Sequence, residues 1–307
     1  MGNSRPKVLH AIAGRSLIGH VLCAVGAVDA AIAVVVGPGQ DAVVEAAKAF
    51  VPGVEFFIQH ERRGTAHAVL AAKAALARGA DDVVVVLADT PLITPQTIAR
   101  LRAALSAGAG VAVLGFRPAD PTGYGRLVID AAGQLIAIRE EKDASAAERA
   151  ISLCNSGLMA LAGSAALAIL TTIRDDNAQR EFYLTDAVAV ARAMGLGTVA
   201  LETAADEVLG VNTQAQLAEA EAVLQRRLRA AAQKAGVAMV APETVHLCAD
   251  TKLGRDVTIE PYVVFGPGVT VEDGAVIRSF CRLEGAHVGR GAQVGPFARP
   301  ASAAFDP

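Results

Sequence analysis

The chain contains no tryptophan, three tyrosines and nine phenylalanines in 307 residues. Its cores must therefore be built from Ala, Val, Leu and Ile. Charge of one sign is also scarce: 28 Lys+Arg face 31 Asp+Glu, for a net charge of −3. That balance excludes a nucleic-acid binder that works by bulk positive charge. Cys23, Cys154, Cys248 and Cys281 lie far apart with no CxxC pair, which suits neither a zinc site nor a small disulfide framework. A reduced cytoplasm is the expected location. No apolar run reaches the roughly 20 residues that span a bilayer; the most apolar early stretch, Val21–Val36, is broken by Asp29. The first ten residues lack the apolar core of a secretory signal. What is present is 53% hydrophobic and 19% charged, which excludes a disordered chain. The length favours two domains over one.

From residue 30 to about 212, short β-branched runs alternate with Ala-rich helical stretches. The strand candidates are Ile32–Val36, Val54–Gln59, Val83–Leu87, Val111–Phe116, Thr198–Leu201 and Val208–Val211. Several are apolar on consecutive residues, as expected when both sheet faces are covered. Helices are expected over Asp41–Val51, over Thr65–Arg78 and from Thr94-Pro95, where Pro takes the first helical position after a Thr cap. This alternation predicts a mainly parallel α/β sheet. Arg126–Glu140 breaks the rhythm and reads as an inserted β-hairpin, an arm able to close over a site at the sheet edge.

A long helix follows, with capping-box spacing at Thr213 and Gln216, an apolar face through Leu217, Leu224 and Leu228, and a stop at Gly236. From Leu253 six-residue units appear: LGRDVT, IEPYVV, FGPGVT, VEDGAV, IRSFCR. One buried aliphatic per sixfold unit is the signature of a β-helix whose coils take three units each. LEGAH drops one residue, a slipped corner. The pattern is expected to end at VGPFAR, with PASAAFDP not continuing it.

Asp89 ends the run VVVVLAD, at the carboxyl end of a strand where ligands of open α/β sheets gather. It either holds Mg²⁺ or only turns the chain toward the next helix. Gly64-Thr65 opens a helix and either presents N–H groups to an anion or a pyrimidine edge, or is a plain N-cap. Lys7 is a solvated cation unless phosphate chemistry employs it. In Asp120–Arg126 two glycines flank an aromatic, so the backbone passes close to something. Glu140–Asp143 is a charged strand end, Asn155 is an amide on a strand that needs partners, and Asn212 precedes a helix cap. The histidines show no metal spacing. Together these pieces describe an α/β nucleotide-handling domain joined to a β-helix.

The chain resembles the bacterial bifunctional N-acetylglucosamine-1-phosphate uridyltransferase/glucosamine-1-phosphate acetyltransferase family. The resemblance is carried by PKVLH (Pro6–His10), Gln59 with GTAHA (Gly64–Ala68), ADTPLI (Ala88–Ile93), DPTGYGR (Asp120–Arg126), EEKDA (Glu140–Ala144), NSG (Asn155–Gly157), NAQREFYLTD (Asn177–Asp186) and GVN (Gly210–Asn212), in order and spacing along the first 212 residues. It implies a nucleotide-diphospho-sugar transferase, Rossmann-like sheet over residues 1–214, a linker helix over 215–235 and a short left-handed parallel β-helix over 236–307. It implies uridylyl transfer from UTP to N-acetylglucosamine-1-phosphate, giving UDP-N-acetylglucosamine for peptidoglycan and lipopolysaccharide precursors. By match to the family motifs, Asp89 and Asn212 hold Mg²⁺ and Lys7 contacts phosphate. Gln59, Gly64 and Thr65 bind uracil, and Gly125, Glu140, Asn155 and Asn212 contact the sugar. Partners are thus the nucleotide and sugar phosphate, with no nucleic acid and no membrane; the family trimerises through its β-helix.

Departures from the family bring further expectations. The family's first strand and glycine-rich loop, with its catalytic arginine, precede the position matched by Met1. The missing strand is central, so two neighbours are expected to lose a partner. The true start is expected upstream. The chain as written is expected to fold poorly and to be nearly inactive; normal turnover of the purified 307-residue protein would contradict this. The family's acetyltransferase residues lie beyond the matched repeats, so that activity is expected to be absent. Arg5 and Arg63 stand at usually apolar positions, and Ala88 replaces a usual Gly. Rival readings are another sugar-1-phosphate nucleotidylyltransferase and a non-catalytic β-helix assembly module.

Overall fold

The computed structural model describes residues 5–177, 179–299, 302 and 304–305. The described residues form two compact units: Leu17–Gly210 with residues 5–9, and those from Val211 onward with His10–Ser16. In the second unit Ala11–Ile12 (β1) and Arg15–Ser16 (β2) pair as a short antiparallel hairpin.

The first unit carries helices Leu17–Gly26 (α1), Asp41–Lys48 (α2), Thr65–Ala71 (α3), Lys73–Leu76 (α4), Pro95–Ser106 (α5), Ala146–Arg149 (α6), Gly163–Thr172 (α7) and Ala187–Ala193 (α8). They alternate with strands Ala33–Val36 (β3), Glu55–Ile58 (β4), Asp82–Val85 (β5), Ala109–Phe116 (β6), Arg126–Ile129 (β7), Leu135–Arg139 (β8), Cys154–Ala162 (β9) and Gly197–Glu202 (β10). A six-stranded sheet runs β10-β6-β9-β7-β8, with β5 also on β9. It is mixed rather than mainly parallel: β10 and β6 are parallel, but β9 runs antiparallel to β5, β6 and β7. The reason lies in the connections. The β7–β8 hairpin and the one-turn α6 bring the chain back beside β6 without the long crossover that parallel pairing needs. Side chains of β6 alternate between two cores. Val111 and Val113 join Met159, Ile169 and Val188 on one face, while Ala112 and Leu114 join Ile98, Leu101 and Leu158 on the other.

Among the described residues β3 pairs only with β4, and β5 only with β9, so each keeps an open edge. The valines of β5 are accordingly only partly buried, although their sequence reads as a fully covered strand.

Two sequence expectations are corrected. The Thr65–Arg78 helix breaks at Ala72, whose ψ of 21° ends α3 and starts α4. Val208–Val211 is not a strand; Ala205–Val208 forms a 3₁₀ turn instead. Glu207 is the cause. Its buried carboxylate accepts hydrogen bonds from Thr94 N–H (3.0 Å), Thr94 Oγ1 (2.7 Å) and Thr203 Oγ1 (2.5 Å), tying this turn to the N-terminus of α5. Burial alone pushes the Glu207 carboxyl up, but the bonds from Thr203 and Thr94 outweigh it and hold it below the ordinary range. Its contribution is therefore present above that range and lost as pH falls. Glu207→Ala is expected to cost about 3 kcal/mol by leaving these donors unsatisfied; chemical denaturation at neutral pH checks the value.

In the second unit the capped helix Gln214–Lys234 (α9) has the expected box, Thr213 and Gln216 each bonding the other's backbone. Its Gln225 exchanges hydrogen bonds with the Leu247 backbone at 2.6 and 2.9 Å. Strands Ala238–Met239 (β11), Lys252–Leu253 (β12), Thr258–Ile259 (β13), Val264–Phe265 (β14), Thr270–Val271 (β15), Val276–Ile277 (β16), Arg282–Leu283 (β17), His287–Val288 (β18) and Gln293–Val294 (β19) form three parallel sheets, as a three-unit coil requires. Ile259, Phe265, Val271, Ile277, Leu283, Val288 and Val294, one per unit, are all buried. The dropped residue falls between Leu283 and Val288, and the ladder absorbs it: Thr270 faces His287 while Val264 faces Arg282. The tail does continue the pattern, against expectation. Ala304–Phe305 (β20) pairs in register with His287–Val288, because Phe305 supplies the inward apolar side chain at the right spacing.

Candidate functional site

The turn between β4 and α3 is built around Gly64, at φ 110° and ψ 172°, a conformation essentially reserved for glycine. That backbone lets Gln179–Leu184 run close beside it. Phe182 N–H donates to Arg63 O at 2.8 Å, Ala66 N–H to Phe182 O at 2.9 Å, and Leu184 N–H to Thr65 Oγ1 at 3.0 Å. The Arg63 guanidinium lies 5.0 Å from the Phe182 ring centroid and 3.4 Å from Asp175. The unusual Arg63 thus fastens the same junction by its charge and its stem. Gln59 Nε2 reaches Gly64 O at 3.2 Å and His67 Nδ1 at 3.1 Å, so its amide is oriented at the turn.

A cavity of about 590 Å³ opens here. Gln59, Arg62, Gly64 and Thr65 line one side, and Glu140, Glu141, Lys142 and Tyr183 line another. Glu140 is not the solvated strand end that its sequence suggests. Burial pushes its carboxyl up; the Thr185 hydroxyl draws it partly back, while Asp143 and Asp186 add to the push. A carboxyl raised in the folded state costs stability once it ionises, that is, as pH climbs above the ordinary value of 4.5. Glu140→Gln is therefore expected to raise the melting temperature at neutral pH, with the gain fading on acidification. Thermal denaturation across pH checks both halves.

Gly125 stands beside Glu140: a Cβ on Gly125 would lie 3.4 Å from the Glu140 carboxylate. Asn155, on β9, donates its N–H to Gly125 O at 2.8 Å, and its side-chain Oδ1 accepts from Gly157 N–H at 3.1 Å. The sequence-predicted uracil and sugar positions Gln59, Gly64, Thr65 and Glu140 are thus brought to one cavity, with Gly125 and Asn155 linked behind Glu140. Lys7 and Asp89 are brought to each other instead, Nζ 2.5 Å from Oδ2, and neither lines that cavity. Asn212 belongs to the second unit, where its N–H donates to Gln216 Oε1 at 2.8 Å beside the α9 cap. Among the described residues no group of three His, Cys, Asp or Glu side chains converges as a metal cage. Nor is any helix among them long and apolar enough to cross a membrane.

Sequence reasoning missed Arg126, Glu141, Phe182 and Thr185. Arg126 is a fully buried cation, and Thr185 is buried beside the Glu140 carboxylate. Only their places inside the quoted motifs could have flagged them, since nothing about a lone Arg or Thr marks burial.

Residues 1–153 match the MobA-like NTP transferase domain family, and residues 250–285 match the bacterial transferase hexapeptide family. A curated relative in Xanthobacter autotrophicus, named bifunctional protein GlmU, is 62% identical over 97% of this chain and 67% of its own length. One of the same name in Bradyrhizobium sp. is 62% identical over 92% of this chain and 63% of its own. The chain spans about two thirds of the length of these relatives. A nucleoside-diphosphate-sugar pyrophosphorylase from Vibrio cholerae shares the fold, with a TM-score of 0.56 at 16% identity over 72% of this chain and 93% of that one.

Proposed function

Because the chain belongs to the family of bifunctional GlmU proteins, we propose that it transfers uridylyl from UTP to N-acetylglucosamine-1-phosphate, giving UDP-N-acetylglucosamine and pyrophosphate. A phosphate oxygen of the sugar phosphate bonds to the α-phosphorus. The bond from that phosphorus to the α–β bridging oxygen breaks, and pyrophosphate leaves with the electron pair. The observation that carries the reading is the single cavity shared by the Gln59–Thr65 turn and Glu140. A uracil edge fits the oriented Gln59 amide and the turn backbone. Sugar hydroxyls fit the Glu140 carboxylate and the Thr185 hydroxyl beside it. Arg62 and Lys142 bring positive charge to the same walls.

Catalysis by such a chain is mainly positioning and charge neutralisation. Mg²⁺, when bound, would supply positive charge that offsets the charge of the phosphates. Asp89 would be its carboxylate ligand. One carboxylate fits an ion that keeps waters and substrate phosphates as its other ligands. Lys7, already paired with Asp89, would turn its ammonium to phosphate. The same reading makes the β-helix unit a trimerisation surface and places the reaction in the cytoplasm, supplying cell-wall precursors.

The test is product formation and binding together. UDP-N-acetylglucosamine is expected to form only when UTP and N-acetylglucosamine-1-phosphate are both present. It is expected to bind more tightly than UDP by calorimetry. Equal product from other sugar 1-phosphates, or no binding of either nucleotide, would contradict the reading.

A further inference from the structure

Arg126 and Glu141 each sit next in sequence to a residue at the sugar end of the cavity, Gly125 and Glu140, and no role in that site attaches to either. Arg126 is 2% exposed, yet it is charged. Its guanidinium reaches three separate segments. It donates to Tyr124 O in the glycine-rich turn, and Nε donates to Arg149 O at the end of α6 at 3.3 Å. Nη2 stands 2.8 Å from Glu141 Oε2 in the turn after β8, a charge contact rather than an aligned hydrogen bond. Each anchor is itself fixed. Asn155 N–H holds Gly125 O at 2.8 Å, and Asp143 N–H holds Glu140 O at 3.0 Å. The Ser145–Glu148 capping box, reinforced by Arg139, sets α6. A buried guanidinium must satisfy its donors, so the three segments cannot separate without leaving a desolvated charge unpaired.

Resting on the uridylyltransferase reading above, we propose that the Arg126–Glu141 pair is a positioning device: it fixes the spacing between the Gly125 backbone and the Glu140 carboxylate, and so sets how tightly the sugar half of the substrate is held. Neither residue of the pair need touch the reacting atoms. The pair acts through its neighbours, which stand close together: the Glu140 carboxylate lies 3.4 Å from where a Cβ on Gly125 would be, and supporting contacts decide how precisely such a site is held.

The experiment reads the sugar increment, the ratio of the dissociation constant for UDP to that for UDP-N-acetylglucosamine, by calorimetry on the full chain. Glu141→Gln keeps the side-chain shape and removes the charge. It is expected to cut the increment roughly tenfold, as outer-shell changes do, while UDP affinity stays within about twofold. Glu141→Asp is expected to recover part of the loss, because the carboxylate is kept. Arg126→Lys, the harsher change, serves as a second variant, with melting curves recorded for all three. An unchanged increment in folded Glu141→Gln overturns the proposal alone, as does an equal loss of UDP affinity, which would mean general loosening. A wild-type chain with no sugar increment at all overturns the uridylyltransferase reading, and the proposal with it.

Discussion

Gly64→Ala is expected to lower UTP affinity by about a hundredfold and to free the Gln179–Leu184 segment. At φ 110° and ψ 172° any side chain is strained, by about 1–3 kcal/mol. Space makes it worse. A Cβ here would lie 2.5 Å from Phe182 O and 2.7 Å from Phe182 N. Those are backbone atoms, and both are engaged, with Ala66 N–H and Arg63 O. Relief requires the segment around Phe182 to back away, losing two hydrogen bonds worth about 1 kcal/mol each. The two costs together reach roughly 3 kcal/mol, about two decades in a binding constant. Gly79→Ala is the control: Gly79 also has positive φ, at 82°, but nothing lies within 4 Å of the added carbon. Calorimetry with UTP and hydrogen exchange over Gln179–Leu184 distinguish the outcomes. If Gly64→Ala behaves like the control, the close approach of these two segments is not what shapes the nucleotide side of the cavity.

The contrast between those two glycines shows what a sequence conveys. Gly64-Thr65 is legible as a helix start following a strand. The cross-chain zipper that makes Gly64 irreplaceable is not, because its partner lies well over a hundred residues further on. The same holds at Arg63, which reads as a misplaced charge and is in fact seated on Phe182 and Asp175. Local rules succeeded where the constraint is local. The Thr94 cap before Pro95, the Thr213–Gln216 box and the sixfold spacing of inward aliphatics all appear as read, including the dropped residue before Val288. They failed where a tertiary contact wins. The Val208–Val211 run has strand composition, but Glu207, bonded to Thr94 and Thr203, holds the residues leading into it, Ala205–Val208, in a 3₁₀ turn. Nothing in an Ala-rich stretch announces the break at Ala72. The direction of β9 was likewise hidden, since it follows from how little chain separates it from the hairpin.

Asp89→Asn is expected to reduce turnover by about a thousandfold or more while moving the melting temperature by no more than a few degrees. The two magnitudes have different sources. In the fold, Asp89 pairs with Lys7 at 2.5 Å, but the side chains are 21% and 37% exposed, so solvent screens the pair and its worth is roughly 1 kcal/mol or less. In the reaction, the carboxylate is proposed to hold the divalent ion whose charge offsets the transferring phosphates, and such neutralisation supplies much of the rate enhancement in phosphoryl chemistry. A merely structural Asp89, one that only aims Lys7, predicts something else. Asp89→Asn and Lys7→Met would then lose the same activity, and the double variant would lose no more. Metal ligation predicts that Asp89→Asn alone weakens Mn²⁺ binding in the presence of UTP, seen by electron paramagnetic resonance, whereas Lys7→Met leaves Mn²⁺ bound and raises the requirement for UTP. Retention of Mn²⁺ affinity in Asp89→Asn would remove the metal from this carboxylate, and a loss matched by Lys7→Met would give Asp89 the smaller task of holding an ammonium in place.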